Sequence, residues 1–163
     1  MHKDETDDYT AAAEAVFLKY SDMVFRLAYS RCGGNYSDAQ DITMDVFHRL
    51  MRAKPVFEND EHTRAWLVRV TINCSKSMLM NAWHRHTESM PEHIAANMDD
   101  DHRFVHDAVL SLPVKYRTAI HLFYYEDCSI SKIAEAMGAK ENTVKSYLRR
   151  GREMLREILK DEV

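Results

Sequence analysis

The sequence predicts an all-α protein of two small helical domains joined by a flexible linker, and three observations predict it. Only four Gly and three Pro punctuate 163 residues, of which 45% are hydrophobic and 29% charged, a balance that favours helices over a turn-rich β fold. Apolar residues recur at the spacing of an amphipathic helix along most of the chain. That period fails over residues 87–103, where Pro91, Asn97 and the run Asp99, Asp100 and Asp101 provide no core positions and mark a linker. The expected organisation is an acidic tail over 1–8, a domain over 9–86, the acidic linker over 87–103 and a second domain over 104–163.

The first helix is expected over 9–31, with Ala12, Val16, Tyr20, Met23, Val24, Leu27 and Ala28 inward and Gly33-Gly34 as its stop. Ser37 and Gln40 read as a capping box, the hydroxyl accepting from a first-turn amide while Gln40 reaches back. The second helix they open runs to about Ala53. Ala39, Ile42, Val46, Phe47 and Leu50 form its apolar face, with Asp38, Asp41, Asp45, His48 and Arg52 on the other side. Pro55 ends it, and 57–63 reads as a loop. A third helix over 64–86 buries Leu67, Val70, Cys74 and Met78 and gathers Arg69, Asn73 and Lys76 on another side; Trp66 at this spacing reads as core.

Beyond the linker, a short helix ends at Ser111-Leu112-Pro113, and Pro113 can open the next because its missing amide hydrogen would be unpaired there anyway. That next helix, 114–125, carries the stripe Tyr116, Ala119, Ile120 and Phe123. A helix over 130–137 turns Ile133, Ala134 and Met137 inward. Gly138 supplies a tight turn, and a longer helix over 141–159 runs through Val144, Leu148, Leu155 and Leu159.

The net charge of −4 hides a polarised distribution. Acidic residues crowd the N-terminus at Asp4, Glu5, Asp7 and Asp8, whereas 140–160 carries Lys140, Lys145, Arg149, Arg150, Arg152, Arg156 and Lys160 against Glu141, Glu153 and Glu157. Local sign matters more than the total for a charged partner. Cys32, Cys74 and Cys128 form no CxxC pair, which argues against a disulfide framework or zinc knuckle and for reduced core thiols. Nine histidines, His84, His86, His93, His102 and His106 among them, include no HExxH spacing, so no metal, cofactor or catalytic site is expected. No basic and apolar leader opens the chain, and no apolar run approaches the roughly 20 residues that span a bilayer. A cytoplasmic protein without membrane insertion, and not an enzyme, is the expectation.

A helix-turn-helix needs a small residue where its helices cross, a permissive turn residue, and anchors that leave the second helix's outer face free. Ala134, Gly138 and Val144 fit those roles. The free face then carries Asn142, Thr143, Lys145, Ser146, Arg149 and Arg150, residue types that bond to phosphates and base edges.

The order of residues adds a resemblance. Leu112-Pro113-x-x-Tyr116-Arg117-x-x-Ile120, then Ser129 to Gly138 and Thr143-Val144-Lys145-Ser146-Tyr147-Leu148-Arg149-Arg150, resemble region four of bacterial sigma factors. Ala28-Tyr29, Asp38-Ala39-Gln40-Asp41-Ile42-Thr43-Met44-Asp45-Val46-Phe47 and Trp66-Leu67-x-Arg69-Val70-x-x-Asn73 resemble region two. The chain is similar to the small extracytoplasmic-function type of sigma-70 factor. The resemblance implies a dissociable specificity subunit of core RNA polymerase that directs it to promoter DNA. Asp41, Met44, Asp45 and His48 would face the clamp helices of the largest polymerase subunit, and region four would meet the flap of the second largest. Arg64, Arg69, Asn73 and Lys76 would hold the melted −10 element, and the basic helix would read the −35 element. An anti-sigma factor would restrain it. Met44, Ser77, Met80, Lys140 and Tyr147 depart from the family's usual residues, and Tyr147 is therefore left off the phosphate-contact set.

Two other readings keep the fold. One is a stand-alone helix-turn-helix regulator that binds duplex DNA without polymerase. The other is a sigma-like interaction protein without initiation activity.

Overall fold

The computed structural model describes residues 2–81 and 100–161. Every described regular element is a helix: α1 His2–Arg31, α2 Tyr36–Ala53, α3 Asp60–Asn81, α4 Asp100–Leu110, α5 Val114–Ile120, α6 Ile130–Met137 and α7 Glu141–Lys160. The end of α5 widens into a π turn, His121–Tyr125. Trp83, the expected end of the third helix and most of the expected linker lie outside the described residues.

Several boundaries differ from the sequence reading, each for a local reason. The acidic segment before residue 9 continues α1, where carboxylates complement the positive end of the helix dipole. Ala13, not Ala12, is the buried alanine of that turn. The cap of α2 is Asn35 rather than Ser37: its side chain accepts from the Asp38 amide at 3.0 Å. Asp38, expected on the outer side, is buried, because it stands one turn before Ile42 on the same face of the helix. Asn59 does the same for α3, accepting from the His62 amide at 2.8 Å, so most of the expected loop 57–63 is the first turn of that helix. Asp100 to Arg103, expected as linker, are helical.

Helices α1, α2 and α3 form one layer around Val24, Leu27, Ile42, Val46, Leu67 and Ile72. Polar side chains fix its ends: Tyr9 donates to the Leu50 carbonyl at 3.3 Å, and Tyr20 to the Asp60 carbonyl at 3.2 Å. Helices α4 to α7 wrap Leu112, Ala119, Ile120, Leu122, Ile133, Val144 and Leu148. Gly151 lets α7 cross α5, because a Cβ there would stand 2.9 Å from Ile120 Cγ1.

The two groups of helices pack directly against each other and share one continuous core. Gly34, at φ 89° in the turn between α1 and α2, meets the second group at Leu110, whose Cδ1 would lie 3.0 Å from a Cβ at that position. Glycine alone tolerates both the backbone angle and the approach.

Candidate nucleic-acid interface

The helix-turn-helix is built as the sequence predicts. Ser129 accepts from the Lys132 amide at 3.2 Å and opens α6. Gly138 closes α6 in the left-handed region, at φ 64°, a conformation that costs glycine nothing. Lys140 caps α7 without a side-chain bond, leaving the first amides of the helix to solvent or an anion. Val144 and Leu148 anchor α7 inward.

Asn142, Lys145, Arg149 and Arg150 are exposed, and Thr143 and Ser146 are half-buried. At about 100° per residue, Lys145, Arg149 and Asn142 run along one side of the exposed face, Ser146 lies opposite the Val144 and Leu148 anchors, and Arg150 and Thr143 lie on the other side. Arg150 donates to the Tyr116 hydroxyl at 3.5 Å. Tyr147 turns inward, its ring edge-on to Tyr116 with centroids 5.7 Å apart, so a tyrosine at this position packs rather than projecting outward.

On α3, Arg69, Asn73 and Lys76 share an exposed face. Arg64 does not join them freely: its guanidinium donates to the Glu126 carbonyl and lies 3.7 Å from the Glu126 carboxylate. Trp66 is half-buried, edge-on to Phe57 at 5.8 Å. It lines a cleft of about 350 Å³ between α3 and α6, together with Arg64, Arg69, Cys128 and Lys132. Lys132 pairs with Glu61 across the same seam.

Glu126 is the hub that sequence reading missed. It is 4% exposed and takes both arms of Arg26, Nε to Oε1 at 2.9 Å and Nη2 to Oε2 at 3.2 Å, while His121 Nε2 stands 3.3 Å from Oε1. Burial alone would raise this carboxyl, but bonding to His121 and Arg26 outweighs it and leaves the group below its ordinary value. Two arginines lie deeper in the seam. Arg31 donates to Ser75 Oγ at 2.8 Å and Thr118 Oγ1 at 3.0 Å. Arg117 donates to the carbonyls of Leu110, Leu112 and Arg31 at 2.9, 2.7 and 2.9 Å. Burial and the neighbouring Arg117 push Arg31 down to about 10, which keeps it charged at neutral pH.

The expected polymerase face on α2 is open at Asp41, Met44 and His48, and Met44 is 73% exposed. Asp45 is partly engaged, 3.4 Å from Arg49. Burial and Asp45 push the Cys74 thiol up to about 12, and burial raises Cys128, so both stay protonated at neutral pH. Among the described residues no cluster of His, Cys, Asp and Glu is placed to hold a metal, and no helix is long and apolar enough to cross a membrane.

Comparison with known proteins points to one group. Residues 16–85 match the family model described as Sigma-70 region 2, and 104–155 match Sigma-70, region 4. The extracytoplasmic-function RNA polymerase sigma factor SigE of Mycolicibacterium smegmatis is 31% identical over 96% of this chain, which spans 65% of that relative's length. SigW of Bacillus subtilis is 29% identical over 94% of this chain and 91% of its own. The sigma factor RpoE of Bartonella quintana, solved with the anti-sigma factor NepR, shares the fold at TM-score 0.76 and 23% identity, covering 90% of this chain and 96% of that one. CnrH, solved with the cytosolic domain of CnrY, does so at TM-score 0.69 and 19% identity, covering 94% and 91%.

Proposed function

The chain belongs to the sigma-70 family of RNA polymerase sigma factors, and from that premise we propose that it is a bacterial transcription initiation factor of the extracytoplasmic-function type. It binds core RNA polymerase in the cytoplasm, directs it to particular promoters and performs no catalysis itself. The observation that carries this reading is the exposed line Asn142, Lys145 and Arg149 on a helix anchored by Val144 and Leu148, in one chain with the exposed Arg69, Asn73 and Lys76 of α3.

In this reading α7 enters a duplex major groove at the −35 element, where Lys145 and Arg149 meet phosphates and base edges and Asn142, Thr143, Ser146 and Arg150 complete the contact. The α3 face holds the melted −10 strand through cations and neutral hydrogen-bonding groups. Asp41, Met44, Asp45 and His48 dock on the polymerase clamp helices, and the α4 to α7 domain meets the flap. The expected linker, cut back to 87–99 by the helical Asp100 to Arg103, would reach about 45 Å if extended, long enough for the two domains to separate. Separation frees Arg64 from Glu126, so the packed arrangement is the resting form. Tethering then raises the effective concentration of the second promoter contact.

An anti-sigma factor is the natural keeper of this chain, since RpoE, a sigma factor of the same fold, is solved in complex with the anti-sigma factor NepR. The test is transcription with purified core polymerase. Promoter-specific initiation that requires this chain is the expected result. Duplex binding with no dependence of initiation on the chain would favour a stand-alone regulator, and failure to bind core polymerase would favour an interaction-only protein.

A further inference from the structure

The start of α7 presents polar side chains that differ in what they can read. Val144 and Leu148, 0% and 2% exposed, fix which side of the helix faces away from the protein. At about 100° per residue, Ser146 lies opposite that pair, Asn142 about 40° to one side of it, Thr143 about 60° to the other, and Lys145 about 100° round. Asn142 is exposed, whereas Thr143 and Ser146 are half-buried. A helix in the major groove turns the middle of its free face toward the base edges, chiefly near its amino end, and its flanks toward the two phosphate strands. The middle here belongs to Asn142 and Ser146. Lys145 and Arg149 take one flank, and Arg150, drawn toward Tyr116 of α5 by a bond of 3.5 Å, takes the other.

The usual structural use of an asparagine near a helix start is to cap it, but the cap position is Lys140 and Asn142 stands inside the helix. Among the described residues its side-chain amide has no hydrogen-bond partner. Asparagine is also a weaker helix former than alanine or lysine, so at an exposed helical position it adds little to the fold. What it offers is a donor and an acceptor side by side. Adenine presents the matching pair in the major groove, the N7 acceptor beside the N6 amino donor. Guanine presents two acceptors, cytosine one donor, and thymine one acceptor beside a methyl group. The hydroxyls of Thr143 and Ser146 suit several of these edges and discriminate weakly among them.

We propose that Asn142 is a specificity-determining residue: its side-chain amide pairs bidentately with one adenine of the duplex element that α7 reads, and so fixes the base at that position. The assignment rests on α7 being the duplex-binding helix of the reading above, and goes beyond it by naming the residue and the base. The flanking cations hold the phosphates and set the register of the helix, but phosphates carry no sequence information of their own. Selectivity at the amino end of α7 therefore falls to the amide. Any other base opposite it leaves a donor or an acceptor unpaired in the interface, and that mismatch is what rejects the base.

The test is selection from random-sequence duplexes by the full-length chain, both in holoenzyme reconstituted with core polymerase and alone. One adenine of the selected upstream element is expected to depend on Asn142. Asn142→Ala should lose about tenfold or more of the preference at that position and keep it at the others. Asn142→Asp, whose carboxylate only accepts, should bind more weakly throughout and prefer cytosine there, because the cytosine N4 amino group donates. Replacing that adenine by 7-deazaadenine removes the N7 acceptor and keeps the base pair. It should weaken the unsubstituted chain about tenfold, the loss of one hydrogen bond, and leave Asn142→Ala unchanged. Base preference that is unchanged in Asn142→Ala would overturn the assignment, as would loss of preference for a base other than adenine, or weakening uniform over all sequences, which marks a phosphate contact. Selection of no sequence in either form would overturn it together with the placement of α7 on DNA. An adenine selected through Asn142 by the chain alone, with initiation independent of the chain, would support the assignment and count against the initiation-factor reading.

Discussion

Arg26 of α1 grips Glu126, at the foot of the second domain, with two parallel hydrogen bonds of 2.9 and 3.2 Å. Arg64 of α3 reaches the same residue, so one buried carboxylate joins both long helices of the first domain to the second. Bidentate pairing of this kind adds geometry as well as energy. It also occupies Arg64, one of the cations expected to meet melted promoter DNA.

Glu126→Gln is expected to loosen the packed arrangement. The amide keeps the shape but cannot balance two guanidinium groups, and because Arg26 is half-exposed the loss is moderated by solvent, about 1–2 kcal/mol. A lower melting temperature and a longer distance between spin labels on α2 and α7 would be measured. Acid should act in the same direction. The carboxyl is held below its ordinary value of 4.5, so its contribution is complete above that value and is lost as pH falls through the lower folded one. Label distances should therefore stay constant from neutral pH to about 4.5; lengthening already near pH 6 would assign the latch to another group.

The two buried arginines should respond unequally to removal. Arg117→Met strands the carbonyls of Leu110, Leu112 and Arg31, and about 2–4 kcal/mol of stability should be lost. Arg31→Met strands little, because Ser75 and Thr118 already donate to the carbonyls of Ile72 and Val114 at 2.7 and 2.6 Å. It also deletes a buried charge that repels Arg117, so a change within about 1 kcal/mol is expected. Urea midpoints of the two variants decide this, and an equal loss in both would refute the asymmetry.

Gly151→Ala sets helix propensity against space. Alanine gains about 1 kcal/mol within a helix, but its Cβ would meet Ile120 Cγ1 at 2.9 Å and Cδ1 at 3.2 Å, and overpacking typically costs about 1–3 kcal/mol. Net destabilisation is expected in the native background. In Ile120→Ala, where the obstructing atoms are gone, the same change should stabilise. Thermal unfolding of the four proteins gives the coupling, and an additive cycle would mean that α5 and α7 do not cross closely at Gly151.

What the sequence made legible was local. Ser129, Gly138, Val144 and Leu148 announce the helix-turn-helix because a cap, a turn and two anchors are each read within one turn of helix, and the exposed Lys145 and Arg149 follow from the anchors. Asn35 and Ser37 are both good capping residues two positions apart, and residue type alone does not choose between them. The seam was illegible for a different reason. Arg26 and Glu126 lie 100 residues apart, and no period or motif marks a carboxylate that becomes buried only when two domains meet. The same holds for Gly151, whose need for a missing side chain is set by Ile120.

The recognition face yields the most direct functional prediction. Each phosphate contact on duplex DNA contributes about 0.9 to the slope of log affinity against log salt. Lys145→Ala and Arg149→Ala should therefore each weaken binding to a −35 duplex and lower that slope by about one contact, whereas Arg150→Ala, whose guanidinium is already bonded to Tyr116 at 3.5 Å, should lower it by less. Base-edge contacts behave differently: losing one costs about 1–3 kcal/mol on the preferred sequence and little on others. Fluorescence anisotropy across a salt series, on matched and scrambled duplexes, separates the two kinds of contact residue by residue. Unchanged affinity and slope in both Lys145→Ala and Arg149→Ala would remove this side of α7 from the DNA interface.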